Sequence, residues 1–215
     1  MSGAGSLSRP PAQLALSLGA FLVTFAVFGL LTPANRWDYS VEADAHKLVL
    51  QHPVLLAVAR DVTVLGSAVV LWSVCGFAIV ALCAVRRPVL AFKLAAVCAA
   101  GQLTIAAAKM SARRDRPAFA DPVAHAAGYA LPSGHAAGST TFYGAIFVIA
   151  IGWLPVAARR PVGCAVAALI AAVAASRVLL GVHWASDVIA GVLLGSAFVQ
   201  LTRLWIGPPS GGTRR

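Results

Sequence analysis

The sequence predicts an all-α, polytopic membrane protein: a bundle of six transmembrane helices with a short interfacial helical segment between the first and second. Two observations carry that prediction. Of 215 residues, 60% are hydrophobic and only 11% are charged, where a soluble domain holds about 25% charged residues. The apolar residues also fall in runs bounded by charges or prolines, each close to the roughly 20 residues that cross about 30 Å of hydrocarbon as a helix. The length suits a single domain over 1–215. Twelve prolines and 19 glycines in so apolar a chain exclude a disordered, collagen-like or disulfide-scaffold protein. The net charge of +10 does not indicate a nucleic-acid partner, because the cations sit in pairs between apolar runs and form no continuous basic face.

The first span is read at 14–31, inside the charge-free interval between Arg9 and Arg36. Its length exceeds the roughly 7–15 apolar residues of a signal peptide, so it is expected to be a retained helix. The segment 32–61 mixes Asp38, Glu42, Asp44 and Lys47 with Val41, Leu48, Val49, Leu55 and Leu56, a pattern for one or two short helices at the interface. It is expected to be a lid or spacer without chemistry, although such a surface could guide a lipid tail. The second span covers 62–85 and the third 88–108, broken only by Lys93, which is expected to snorkel or pack. The fourth covers 138–158, the fifth 161–182 and the sixth 188–206. Arg86-Arg87-Pro88 and Arg159-Arg160-Pro161 read as tight turns joining antiparallel neighbours. Cys75, Cys83, Cys98 and Cys164 lie within spans, without CxxC spacing, and read as packing residues.

Both turns and both termini fall on one side of this arrangement, with Arg9, Arg86, Arg87, Arg159, Arg160, Arg203, Arg214 and Arg215 and no acid. The other side has as many cations but all seven acids. Cations in short loops near helix ends weigh most in setting topology, so the termini are expected in the cytoplasm and the opposite face outside it. Trp37, Trp153, Trp184 and Trp205 fall near span ends, as an aromatic belt would place them, and Trp72 does not.

Ionisable residues are expensive at a membrane and mark function. They cluster on the extracytoplasmic side in three stretches: KMSARRDRP at 109–117, PSGH at 132–135 and SRVLLGVHWASD at 176–187. Lys109, Arg116 and Arg177 put three fixed cations at the mouths of neighbouring helix hairpins, suited to a phosphate group. Ser133 and Gly134 open the fourth span, where free N–H groups and the positive helix end hold anion oxygens. His183 and Asp187, four apart, share a helical face, so the carboxylate can orient the imidazole of a nucleophile. His135, beside the anion site, is available as a proton donor to a leaving oxygen. Arg113 and Arg114 are expected merely to snorkel, and His46, His52 and His125 to be structural. A metal is not expected, since three nearby cations would repel it and no further carboxylate or Cys completes a shell.

With Lys109 followed by six residues and Arg116-Pro117, then Pro132-Ser133-Gly134-His135, then Ser176-Arg177, His183 and Asp187, the chain resembles the type 2 phosphatidic acid phosphatase superfamily. These are membrane-embedded lipid phosphatases related to vanadium haloperoxidases, with motifs KxxxxxxRP, PSGH and SRxxxxxHxxxD. The likeness extends to Gly181-Val182 and Ala190-Gly191, but not to 32–61 or the C-terminal tail. Leu131 and Ala185 depart from the residues common at those positions, without removing a reacting group. The resemblance implies that His183 attacks phosphorus and forms a phosphohistidine, with Asp187 stabilising its imidazolium. It implies that His135 protonates the leaving group, and that Lys109, Arg116, Ser133, Gly134 and Arg177 hold the phosphoryl oxygens without a cofactor. The expected activity is hydrolysis of a lipid phosphate or diphosphate, such as an isoprenoid diphosphate (undecaprenyl diphosphate is one), phosphatidylglycerol phosphate or phosphatidic acid. Transfer to an acceptor other than water is the alternative. Anion transport is disfavoured, because the chain has no internal repeat and a transporter has no need of an oriented nucleophile.

Overall fold

The computed structural model describes residues 10–31 and 35–206, and the described chain is helix and connecting loop, a multi-pass membrane bundle. The elements are α1 (Pro10–Phe25), continued by a π-helical stretch (Ala26–Leu31), α2 (Arg36–Gln51), α3 (Pro53–Val64), α4 (Ala68–Ala84), α5 (Pro88–Ala112), α6 (Gly134–Ala150), α7 (Val156–Leu179) and α8 (Ala185–Ile206). Arg9, residues 32–34, Arg214 and Arg215, used above for topology and for the interfacial segment, lie outside the described residues.

Helix α6 is the centre and packs against α4, α5, α7 and α8. Its small residues, among them Ala136, Ala137, Gly138, Ser139 and Gly144, are buried, and small side chains let helices approach closely in a membrane. The approach to α8 is tightest. A Cβ at Gly191 would lie 2.7 Å from the Ser133 carbonyl oxygen, and one at Gly195 would lie 2.7 Å from that of Ala137. Leu71, Leu82, Leu94, Val97 and Phe142 fill the space between α4, α5 and α6. Outward-facing apolar residues such as Val69 and Phe77, 78% and 77% exposed, form the kind of broad apolar surface that a membrane covers. On the outside, α1 lies on α8, α3 on α7, and α2 against both α7 and α8.

Several expectations need correction. Four stretches, Pro11–Gly29, α5, α7 and α8, are long and apolar enough to span, and α3 with α4 forms a fifth if taken as one bent span. The expected fourth span corresponds to α6, whose 17 residues lie at the short end of the roughly 17–25 that cross a membrane. The expected second span is broken, with a 45° bend between α3 and α4. There Gly66 faces His135 and Ser139, and Ser67 caps α4 by accepting from the Val70 N–H at 3.4 Å. Arg86-Arg87-Pro88 does make a tight turn: Arg86 adopts φ +57°, Arg87 N–H donates to Leu82 O at 2.8 Å, and Pro88 starts α5. Arg159, Arg160 and Pro161 do not. They lie inside α7, and the connection is residues 151–155, because Pro155 already flanks the helix start.

Lys93 donates to the Trp205 carbonyl at 2.8 Å and lies over its ring, satisfying the end of α8. Trp72 meets Phe142 edge-on at 5.0 Å. Trp184, at the start of α8, does not face outward as a belt residue would: it is buried, donating to Asp115 O at 2.9 Å and packed on Tyr39.

Candidate active site

The three polar stretches meet at one end of the bundle. Helix α7 ends in a Schellman motif, in which Gly181 takes φ +67°, its N–H donates to Val178 O at 2.9 Å, and Val182 N–H reaches Arg177 O at 3.2 Å. That reversal turns His183 inward, where it is 2% exposed. Asp187 follows in the first turn of α8. Its Oδ2 accepts the Trp184 N–H at 2.9 Å and faces His183 Nδ1 at 3.5 Å. The latter is longer than a good hydrogen bond, as catalytic contacts often are before substrate binds.

The other imidazole nitrogen, Nε2, receives Arg116 Nη1 at 3.0 Å. A guanidinium can only donate, so Nε2 presents a lone pair and Nδ1 carries the proton toward Asp187. Burial first, then Arg116, Lys109, Arg177 and His135, hold the His183 pKa well below the usual histidine range. The imidazole is therefore neutral at physiological pH, with its basic nitrogen aimed at a cation.

The remaining cations rest on backbone carbonyls and a hydroxyl. Arg116 also donates to Val182 O at 2.6 Å, Gly128 O at 2.8 Å and Ala127 O at 2.9 Å. Lys109 Nζ donates to Tyr129 O at 2.6 Å and runs past Gly134, where a Cβ would lie 3.8 Å from its Cε. Arg177 Nη1 donates to Thr63 Oγ1 at 2.5 Å, while its buried Nε has no partner among the described residues. Ser133 caps α6, and its N–H donates to Asp187 O at 2.9 Å, tying the start of α6 to α8. His135 is half-buried in the first turn of α6, against the α3–α4 break at Gly66. All eight residues singled out in the sequence thus converge. Beside them a cavity of about 250 Å³ is lined by Arg116, Pro117, Phe119, His125, Gly181 and Val182. Among the described residues, no three His, Cys, Asp or Glu side chains group as a metal shell would.

Sequence reasoning missed part of this centre. Arg114, expected to snorkel, is 3% exposed and bridges two carboxylates, Asp38 Oδ2 at 2.6 Å and Asp187 Oδ1 at 2.5 Å. The expected spacer is two helices, α2 and α3, and they bring polar groups to the site: Asp38, Glu42 and Thr63. Asp38 and Glu42, four apart on α2, were the available signal, since they share a face. The sequence did not say that this face turns inward.

Glu42 is buried, and among the described residues both its carboxyl oxygens lack a hydrogen-bond partner. Burial, then Asp187 and Asp38, push its pKa up to about 9. The folded state therefore binds a proton that the unfolded state releases near pH 4.5, so stability falls as pH rises between the two values. Glu42→Gln is expected to melt several degrees above wild type at pH 8 and equally with it below pH 4.5. Thermal unfolding in detergent at both pH values checks this; an equal melting temperature at pH 8 would refute it.

A family model of the PAP2 superfamily matches residues 90–209, more than half of the chain and all three motifs. No curated protein matches the chain significantly. Among solved structures, a crystal structure described as the first transmembrane PAP2-type phosphatidylglycerolphosphate phosphatase from Bacillus subtilis superposes with a TM-score of 0.82 at 23% identity, covering 90% of this chain and 96% of that one. At that identity the likeness establishes the fold.

Proposed function

The chain belongs to the PAP2 superfamily, and from that premise we propose that it is a metal-independent membrane phosphatase that hydrolyses a lipid phosphate or diphosphate through a phosphohistidine at His183. The observation that carries the proposal is the polarity of His183: a neutral imidazole with its Nε2 lone pair against the Arg116 guanidinium and its Nδ1–H toward Asp187. A phosphoryl oxygen that takes over the Arg116 Nη1–H from His183 Nε2 would free that lone pair and bring phosphorus to the nucleophilic nitrogen.

Arg116, Lys109 and Arg177 carry three positive charges for the non-bridging oxygens, and Ser133 with the Gly134 N–H adds neutral donors at the start of α6. In the first step His183 Nε2 forms a bond to phosphorus while the bond from phosphorus to the leaving oxygen breaks, and His135, which takes up a proton together with the anionic substrate, passes it to that oxygen. The imidazole becomes cationic, and Asp187 stabilises it. In the second step His135 takes a proton from water, the water oxygen bonds to phosphorus, and the P–N bond breaks. Such chemistry depends chiefly on positioning and on charge stabilisation.

The site is assigned to the extracytoplasmic face and both termini to the cytoplasm. Arg86, Arg87, Arg159, Arg160 and Arg203 at the opposite helix ends support this reading, and at the charged mouth a lipid could keep its tail among the helices while its headgroup meets the cations. A cysteine at exposed Asp121, in a background without native cysteines, should then label only from outside the cell. The substrate class follows from the same arrangement: an isoprenoid diphosphate, phosphatidylglycerol phosphate or phosphatidic acid.

The experiment is phosphate release by purified protein in detergent with EDTA, from each of these three lipids. Release from at least one is expected to continue undiminished. Loss of release in EDTA, with recovery on adding a divalent cation, would overturn the metal-independent reading, and transfer of phosphate only to an added lipid or sugar acceptor would replace hydrolysis by phosphotransfer.

A further inference from the structure

On the premise that His183 is the nucleophile, we infer that Asp38 and Arg114 are positioning residues for the reaction, holding Asp187 in place and leaving it negative behind the imidazole. The four residues behind His183 form a closed ring. Arg114 Nη1 donates to Asp187 Oδ1 at 2.5 Å and to Ser186 Oγ at 2.7 Å, and Nη2 donates to Asp38 Oδ2 at 2.6 Å. Ser186 closes the ring by donating its N–H to Asp38 Oδ1 at 3.0 Å and its hydroxyl to Asp38 Oδ2 at 2.6 Å. The ring members are 0–3% exposed. Both oxygens of Asp187 are thus fixed, Oδ1 by Arg114 and Oδ2 by the Trp184 N–H, with Oδ2 left toward the imidazole.

The charge arithmetic gives Asp38 its role. One guanidinium is shared by two carboxylates, so the ring keeps one net negative charge. Without Asp38, Arg114 would neutralise Asp187 alone, and little would remain to stabilise the imidazolium that forms as Nε2 bonds to phosphorus. Lys109 from α5, Arg116 from the loop after it, Arg177 from α7 and His135 from α6 all oppose that imidazolium. Asp187 is the acid that faces it, and Glu42 from α2 looks onto the same acids. In a desolvated site each of these charges acts more strongly than it would in water. Helix α2 would then be part of the catalytic apparatus and not a cover over it.

The test compares full-length wild type, His183→Ala, Asp38→Asn and the double variant Asp38→Asn/Arg114→Gln in detergent, with dioleoyl phosphatidic acid, farnesyl diphosphate and phosphatidylglycerol phosphate as probes. Asp38→Asn keeps the shape and removes the charge. Its kcat is expected to fall about 10- to 100-fold with KM within about threefold, and the alkali-quenched phosphoenzyme should form correspondingly more slowly. The double variant restores the charge balance and should lose about tenfold against wild type, and no more than Asp38→Asn alone. A purely structural role would lower the folded yield or the melting temperature and leave kcat per folded molecule unchanged. The inference is overturned alone if activity vanishes in His183→Ala while both Asp38 variants stay within threefold of wild-type kcat. Should Asp38→Asn not fold, the double variant decides by the same threshold. Hydrolysis that persists in His183→Ala, or wild type that hydrolyses none of the three probes, would overturn the premise and the inference together.

Discussion

His183→Ala is expected to lower phosphate release by on the order of 10⁴-fold or more, to the level left by electrostatic stabilisation and binding alone. The nitrogen that faces Arg116 at 3.0 Å belongs to His183, and the other imidazole, His135 in α6, is the proton donor and not the nucleophile. Lipid binding should survive, since Lys109, Arg116 and Arg177 remain. Wild type quenched in alkali during turnover of a ³²P-labelled lipid phosphate should carry label that is released by acid, as a phosphohistidine would be, and the variant should carry none. Asp187→Asn should be less severe, with a loss of roughly 10²- to 10⁴-fold, because the nucleophile is present but its imidazolium is unsupported. Residual activity of His183→Ala within about a hundredfold of wild type would remove His183 from the nucleophile's role.

The parts of this site legible in the sequence are those whose spacing is local. His183 and Asp187 lie one helical turn apart, Ser133 and Gly134 precede an apolar run, and Lys109 and Arg116 flank a helix end, so periodicity alone put each beside its neighbour. Their convergence was inferable because hydropathy assigned all three stretches to one end of the bundle. Arg114 was not legible. An arginine between two other cations at a helix end has the same local pattern whether it reaches water or turns inward, and its direction depends on Asp38, which lies 76 residues away. The α3–α4 bend was hidden for a similar reason: Gly66 sits in an apolar run that hydropathy reads as continuous, and the break exists because the backbone there must pass close to His135 and Ser139. The displaced turn at 151–155 reflects two prolines, Pro155 and Pro161, each able to mark a helix start. The chain uses the first.

Arg116→Lys is expected to lower kcat by about 10²- to 10³-fold, although the charge is kept. The guanidinium works as a plane. One edge meets His183 Nε2 and Val182 O, and the rest is fixed by the carbonyls of Gly128, Ala127 and Tyr129. Those carbonyls hold the donor where phosphoryl oxygens would arrive, and a single ammonium on a flexible stem cannot reach the same points together. The pH profile separates geometry from charge. Arg116 is the largest contributor after burial to the depressed pKa of His183, and protonated His183 cannot attack. Arg116→Ala should therefore allow His183 to protonate at higher pH and move the acidic limb of kcat/KM upward. Arg116→Lys, which retains a cation, should move that limb little while still losing rate. An upward shift of equal size in both variants would mean that the planar contacts contribute nothing beyond charge, and no shift in either would mean that Arg116 does not act on His183 at all.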